Sequence, residues 1–90
     1  MKILIVEDDL VIAESLANEL FKWNYEVVAV DNFEQIMEDF HEVAPQLVLL
    51  DINLPTLNGF HWCQEMRKES NVPIMFISLH SQFIDSVIIF

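Results

Sequence analysis

The sequence predicts an α/β domain built on a parallel sheet, and two observations support this. Four short apolar runs are continuous rather than alternating, which is typical of strands covered on both faces; they are residues 3–6, 27–30, 47–50 and 74–77. The segments between them carry apolar residues at helical spacing. The order is therefore β-α-β-α-β-α-β, which predicts right-handed crossovers between parallel strands.

Three helices are expected between these strands. The first carries apolar residues on one side, namely Ile12, Leu16, Leu20 and Trp23, with Ala13 and Ala17 beside them. The second has the clearest stripe, formed by Phe33, Ile36, Met37, Phe40, Val43 and Ala44, and Pro45 lies just past its end. The third, over residues 60–69, is weaker and presents Phe60, Cys63 and Met66 on one side. The tail, "SQFIDSVIIF", is compatible with a helical turn or with a strand.

Composition narrows the class of protein. Ninety residues are enough for one small domain, and an apolar content of 53% allows a true core. The formal net charge of −11 disfavours direct binding to nucleic acid, and it suits a divalent cation or a basic patch on a partner. The single cysteine, Cys63, excludes an intrachain disulfide, and no apolar run approaches the ~18 residues of a membrane span. We therefore expect a soluble cytoplasmic domain.

The ends of the predicted strands carry the candidate chemistry. The first strand runs into Glu7 and Asp8, the third into Asp51, and the fourth into Ser78. In a parallel sheet these positions share one edge, where converging carboxylates repel each other unless a cation lies among them. Oxygen ligands of this kind favour Mg²⁺, and the Ser78 hydroxyl is placed to bond an oxygen of a bound phosphate.

A structural explanation competes with this one at each acid. Asp9, the next residue, is expected to cap the first helix or to lie in its first turn, where an acid is favoured. A cap explains one acid and not a run of them, so Glu7 and Asp8 are assigned to the site. Asp51 alone would suit a turn equally well, and its place beside the acidic pair favours the functional interpretation.

The stretches "KILIVEDD", "LVLLDINLPTLNGF" and "VPIMFIS" resemble the motifs of bacterial response-regulator receiver domains, in order and at the usual separations. The resemblance covers almost the whole chain, and the detail is most similar to the winged-helix class of regulators that respond to bacitracin and other cell-envelope peptides. It implies a three-layer flavodoxin-like fold for residues 1–90. It also implies that the chain is a signalling domain and not an enzyme, beyond self-phosphorylation from small donors and self-dephosphorylation.

The resemblance also implies a role for each matching residue. Asp51 corresponds to the phosphoacceptor, which takes a phosphoryl group from a sensor histidine kinase. Glu7 and Asp8 correspond to the pair that holds Mg²⁺, or Mn²⁺ in its place, with Asp51 and the backbone carbonyl of Asn53 as further ligands. Ser78 corresponds to the hydroxyl residue that bonds the phosphoryl group and reports phosphorylation. Pro55 and Gly59 correspond to the loop under the pocket. In a full-length parent this would control transcription.

The chain departs from the family after the fourth strand. The family continues with a fifth parallel strand, which ends in a lysine, and a fifth helix; none of the four bases, Lys2, Lys22, Arg67 and Lys68, matches that lysine. We therefore expect an incomplete fold, with no DNA-binding domain and with the run 74–77 as an unprotected apolar edge. Such an edge favours a homodimer or a strand-exchanged oligomer.

Two functional hypotheses follow. The first is a working phosphoacceptor. The second is a truncated receiver that cannot be phosphorylated and acts only as a docking or dimerisation module. Two other classes fit poorly: a dehalogenase-type phosphatase would need an acid at Asn53, and a flavodoxin-like carrier would need a first loop that accepts a phosphate, which Glu7 and Asp8 would repel.

Overall fold

A computed structural model describes the backbone of residues 1–55, 57–80 and 83–89, and the side chains of residues 1–55 and 57–77. The strands are β1 (Lys2–Val6), β2 (Glu26–Ala29), β3 (Leu47–Asp51), β4 (Ile74–His80) and β5 (Phe83–Ile89). The helices are α1 (Leu10–Lys22), α2 (Ile36–Val43) and α3 (Gly59–Arg67). The predicted order of strands and helices up to β4 is confirmed.

The five strands form one sheet in the order β2-β1-β3-β4-β5. Strands β1 to β4 are parallel to one another, as expected for strands joined by helical crossovers. Val6 lies beside Leu50, and Asp51 lies beside Ile77. This register brings the carboxyl ends of β1, β3 and β4 to the same edge of the sheet.

The tail forms β5, which pairs with β4 antiparallel, with a register irregularity between Ser78 and Leu79. The expectation that residues 74–77 form an unprotected edge was therefore wrong, because β5 covers them, and the strand alternative for the tail is the one that forms. Only residues 81–82 separate the two strands, whereas a parallel neighbour needs a crossover of about a dozen residues. The parallel fifth strand and the fifth helix of the family are absent from the described residues, as predicted.

The sheet is the middle of three layers. On one face, Leu4, Val6, Val48 and Leu50 pack with residues of α2 and α3, such as Phe40 and Met66, in one buried cluster. On the other face, Ile3, Ile5, Leu49 and Ile77 pack against α1 through Ala13. Alternate residues of each strand thus serve opposite faces, which explains why the apolar runs are continuous. Burial of each Leu, Ile or Val side chain stabilises the fold by about 1.5–3 kcal/mol. The strands that carry the acids are therefore firmly held in the sheet.

The helix ends follow from local hydrogen bonding. Asp9 is the N-cap of α1, as predicted, and its side chain accepts hydrogen bonds from two backbone N–H groups of the first turn. Asn58 caps α3 in the same way, through the backbone N–H of His61. Helix α2 ends at Ala44, which adopts a left-handed conformation with φ of 48°.

Two residues of the predicted apolar helix faces are exposed. Trp23 was assigned to the apolar side of the first helix, but it is the C-cap of α1 and is 72% exposed, because the chain leaves the helix there. Ala44 was placed on the stripe of the second helix, and it too is exposed where that helix ends. Phe60 is partly exposed, yet its ring packs on Phe76 at 4.8 Å between centroids. No helix among the described residues is long and apolar enough to cross a membrane.

Candidate functional site

Three carboxylates meet where β1 and β3 end. One oxygen each from Glu7, Asp8 and Asp51 lies within 4.8 Å of the other two. Glu7 and Asp51 are buried, at 3% and 5% exposure, whereas Asp8 is exposed. The structure therefore brings together the three acids that the sequence singled out, and Asp8 is the one that is exposed to solvent.

Backbone N–H groups orient the two buried carboxylates. Glu7 accepts a hydrogen bond from the N–H of Asp9 at 3.0 Å, through Oε1. Asp51 accepts one from the N–H of Asn53 at 3.1 Å, through Oδ1. The second oxygen of Glu7, Oε2, is buried and has no hydrogen-bond partner among the described residues. A buried carboxylate oxygen without a partner is costly, so this site is incomplete without a proton or a cation.

The electrostatics of the site agree with its geometry. Burial raises the pKa of Glu7 from 4.5 to about 8; the N–H of Asp9 opposes this, while the neighbouring carboxylates of Asp51 and Asp8 add to it. Burial therefore favours the protonated form of Glu7 when no cation is bound. A divalent cation would replace that proton and relieve the repulsion among the three carboxylates.

The donor set fits a hard divalent cation. All three side chains offer oxygen, one buried oxygen is unsatisfied, and Asp8 is exposed to solvent. Mg²⁺ prefers oxygen ligands and usually keeps several waters. The described residues hold one cluster of at least three potential metal-binding side chains, and it is this one.

The remaining predicted site residues have different outcomes. Asn53 lies just after β3, and its backbone N–H holds Asp51; its carbonyl as a metal ligand stays a prediction. The backbone of Ser78 lies in β4, one residue after Ile77, which is paired with Asp51. It therefore lies at the same edge of the sheet as Asp51. The side chain of Ser78 lies outside the described residues, and its role also stays a prediction.

Gly59 has a structural role that sequence reasoning had only partly found. A Cβ atom at this position would lie 2.3 Å from the backbone oxygen of Asp51, so no other residue fits without movement. The N–H of Gly59 also donates to the carbonyl of Ile52 at 2.9 Å. The start of α3 is thus pressed against the backbone of Asp51. The signal in the sequence was that this is the chain's single glycine.

The three lysines are engaged away from the acidic site. Lys2 pairs with Glu26 at 3.5 Å, Lys22 with Glu19 at 3.3 Å and Lys68 with Glu65 at 2.7 Å. The fourth base, Arg67, donates to the backbone carbonyl of Ser70. That no base matches the family's lysine stays a prediction.

Comparison with known proteins identifies similar chains. Response regulator protein GraR of Staphylococcus epidermidis is 45% identical over 87 residues, which are 97% of this chain and 39% of that protein. Sensory transduction protein BceR of Halalkalibacterium halodurans is 43% identical over 86 residues, or 96% of this chain and 37% of that protein. The chain therefore spans well under half the length of these relatives.

Solved structures agree. The N-terminal domain of the nisin resistance regulator NsrR, described as a lantibiotic response regulator, has a TM-score of 0.81 and 42% identity, and the match covers 93% of this chain and 71% of that one. Response regulator protein TrrA from Thermotoga maritima, in complex with Mg²⁺-BeF, has a TM-score of 0.73 and 32% identity, covering 86% and 66%. A chain in the structure of histidine kinase ThkA in complex with TrrA has a TM-score of 0.79 and 31% identity, covering 91% and 72%.

A family model, that of the response regulator receiver domain, matches residues 3–89, which is nearly the whole chain. Both the order of the parallel strands and the acidic cluster are consistent with this match. The chain belongs to the receiver domain family of two-component response regulators.

Proposed function

We propose that Asp51 accepts a phosphoryl group from a phosphohistidine of a sensor histidine kinase, with Mg²⁺ held by Glu7, Asp8 and Asp51. The observation that carries this proposal is the convergence of three carboxylates, one of them with an unsatisfied buried oxygen, at the ends of β1 and β3. The Mg²⁺-BeF complex of TrrA and the complex of TrrA with a kinase support the same chemistry for a similar domain.

Different residues of the chain have different roles in phosphoryl transfer. An oxygen of Asp51 attacks phosphorus, the bond from phosphorus to the donor nitrogen breaks, and the nitrogen keeps the electron pair, which leaves an acyl phosphate on Asp51. The N–H of Asn53 fixes Oδ1, so that the other oxygen is presented. Glu7 and Asp8 would hold the cation. When bound, Mg²⁺ neutralises negative charge on the transferring group.

Four further assignments belong to this proposal. The backbone carbonyl of Asn53 is a metal ligand, and the Ser78 hydroxyl bonds the phosphoryl group and reports its presence. Mn²⁺ substitutes for Mg²⁺, since it also takes oxygen ligands. Residues 1–90 are the receiver portion of a longer cytoplasmic regulator that controls transcription. The greater lengths of GraR and BceR support the assignment to a longer regulator. The net charge of −11 disfavours contact between residues 1–90 and DNA, so DNA binding would belong to another part of that regulator.

The test is intact-mass measurement after incubation with acetyl phosphate and Mg²⁺. We expect the gain of one phosphoryl group, which is lost when EDTA is added and is lost in Asp51→Asn. Asp31→Asn is the matched control, because Asp31 is an exposed acid outside the cluster, and it should be phosphorylated like the parent chain. Circular dichroism establishes that each chain is folded. A folded parent chain that gains no mass, or an Asp51→Asn chain that does, would refute the proposal.

A second candidate function is a docking or dimerisation module that is not phosphorylated. Two observations favour it: the three lysines pair with glutamates elsewhere, and the antiparallel β5 occupies the sheet position next to β4. A negative mass result from a folded chain that still binds a kinase would select this candidate.

A further inference from the structure

Asn58 and Gly59 form an Asn-Gly pair, a dipeptide with a characteristic chemistry. The backbone nitrogen of the second residue can lose its proton and attack Cγ of the asparagine, which releases ammonia and forms a cyclic succinimide. Water then opens the ring to give aspartate or isoaspartate. A side chain on the second residue hinders the attack. Gly59 is the chain's single glycine, so every other asparagine precedes a residue with a side chain, and Asn58 is the asparagine most prone to this reaction.

Both reacting groups are held by hydrogen bonds in the folded domain. The N–H of Gly59 donates to the carbonyl of Ile52 at 2.9 Å, and Gly59 is buried. The side chain of Asn58 caps α3, with Oδ1 accepting from the N–H of His61 at 3.1 Å. To react, the nitrogen must leave the carbonyl of Ile52, and the side chain of Asn58 must leave the cap. Asn58 itself is exposed, so a ring formed there would be accessible to water.

We propose that Asn58 is a site of spontaneous deamidation, and that the hydrogen bonds at the start of α3 suppress this reaction in the folded domain. The rate is then set by local opening of the start of α3, since the nitrogen of Gly59 reaches Cγ of Asn58 only in the open form. Loss of the cap and of the Gly59 hydrogen bond together corresponds to about a thirtyfold difference in rate. This inference does not depend on the proposed phosphoryl transfer.

The two products differ in their effect on the fold. Aspartate at position 58 keeps a capping oxygen, since Asp and Asn are about equally good N-caps, and its charge is favourable at a helix N-terminus. Isoaspartate instead routes the main chain through the former side chain, which adds a carbon atom to the backbone before Gly59 and removes the cap. The packing leaves no room for this change, because even a Cβ on Gly59 would lie 2.3 Å from the backbone oxygen of Asp51. Isoaspartate should therefore displace the start of α3 from Asp51.

The first test compares deamidation in the folded chain and in the chain unfolded by guanidinium chloride, at the same mildly alkaline pH and ionic strength. Peptide mapping by mass spectrometry follows each asparagine, so the others serve as internal controls. We expect Asn58 to convert fastest in the unfolded chain and about thirtyfold more slowly, or slower still, in the folded chain. Gly59→Val, measured unfolded, should convert much more slowly than the unfolded parent. Equal rates in the folded and unfolded parent, faster conversion at another asparagine when unfolded, or no effect of Gly59→Val would overturn the proposal.

The second test concerns the isoaspartyl product. Chains aged in denaturant are separated by chromatography and refolded, and the isoaspartyl fraction is identified by methylation with an isoaspartyl O-methyltransferase and S-adenosylmethionine. We expect isoaspartyl chains to unfold at a lower denaturant concentration than the parent chain. Freshly prepared Asn58→Asp is the matched control, and it should unfold close to the parent because the cap is kept. Isoaspartyl chains that unfold together with Asn58→Asp would overturn the predicted displacement of α3.

Discussion

The metal-free protein should lose stability as pH rises through neutrality, and Glu7→Gln should abolish this loss. In the folded chain the pKa of Glu7 is about 8, against an ordinary value of 4.5. The unfolded chain therefore releases this proton at lower pH than the folded chain does. Because the pKa of Glu7 is raised in the folded chain, the protonated side chain contributes fully to the stability of the fold below the ordinary pKa of 4.5. This contribution falls as pH rises through about 8 and is absent above it.

The magnitude follows from linkage. Between the two pKa values the free energy of unfolding falls by about 1.4 kcal/mol for each pH unit, so a rise from about pH 5.5 to about pH 7.5 costs on the order of 3 kcal/mol. A glutamine keeps the shape of the side chain and has no proton to release. Over this pH range, the free energy of unfolding of Glu7→Gln should therefore rise by that amount relative to the free energy of unfolding of the parent chain. Titrating groups that do not interact with Glu7 are common to both chains and cancel in the comparison.

The assay is urea unfolding followed by circular dichroism, with EDTA present, at several pH values. Glu14→Gln is the matched control: Glu14 is an exposed acid on α1 outside the cluster, so this variant should follow the parent chain. Added Mg²⁺ should stabilise the parent chain more as pH rises, because it displaces a proton from Glu7, and it should stabilise Glu7→Gln much less. Parallel pH profiles for the parent and Glu7→Gln in EDTA would refute the reasoning.

Three further predictions concern the backbone around the site and the helix ends. Gly59→Ala should destabilise the chain by about 1–3 kcal/mol in urea unfolding and slow phosphorylation of Asp51 by acetyl phosphate, because the new Cβ would lie 2.3 Å from the Asp51 carbonyl oxygen; unchanged stability and rate would contradict this. Asp9→Ala should cost about 1 kcal/mol by loss of the N-cap of α1, whereas Asp9→Asn should cost less, and equal losses would argue against a capping role. Ala44→Gly should stabilise the chain by about 1 kcal/mol in thermal unfolding, since φ is 48° there, and a lower melting temperature would show that the left-handed conformation is not strained.

Much of the fold was predictable because burial leaves a local pattern. Strands covered on both faces must be apolar at every position, and the runs ending at Val6 and Leu50 show this directly. The same reasoning placed the acids at one edge, since parallel strands end together. Trp23 marks where such patterns fail: helical periodicity cannot tell where the helix ends, and this residue lies just past that point.

The sequence by itself determined the element order, the three acids and the resemblance to receiver domains. Tertiary structure alone decided that the tail forms a strand beside β4, that an oxygen of Glu7 has no partner, and that Gly59 contacts Asp51. The physical reason is the range of the interactions. Periodicity and strand ends are visible in neighbouring residues, whereas strand pairing, desolvation and close approach depend on what the rest of the chain places beside each group.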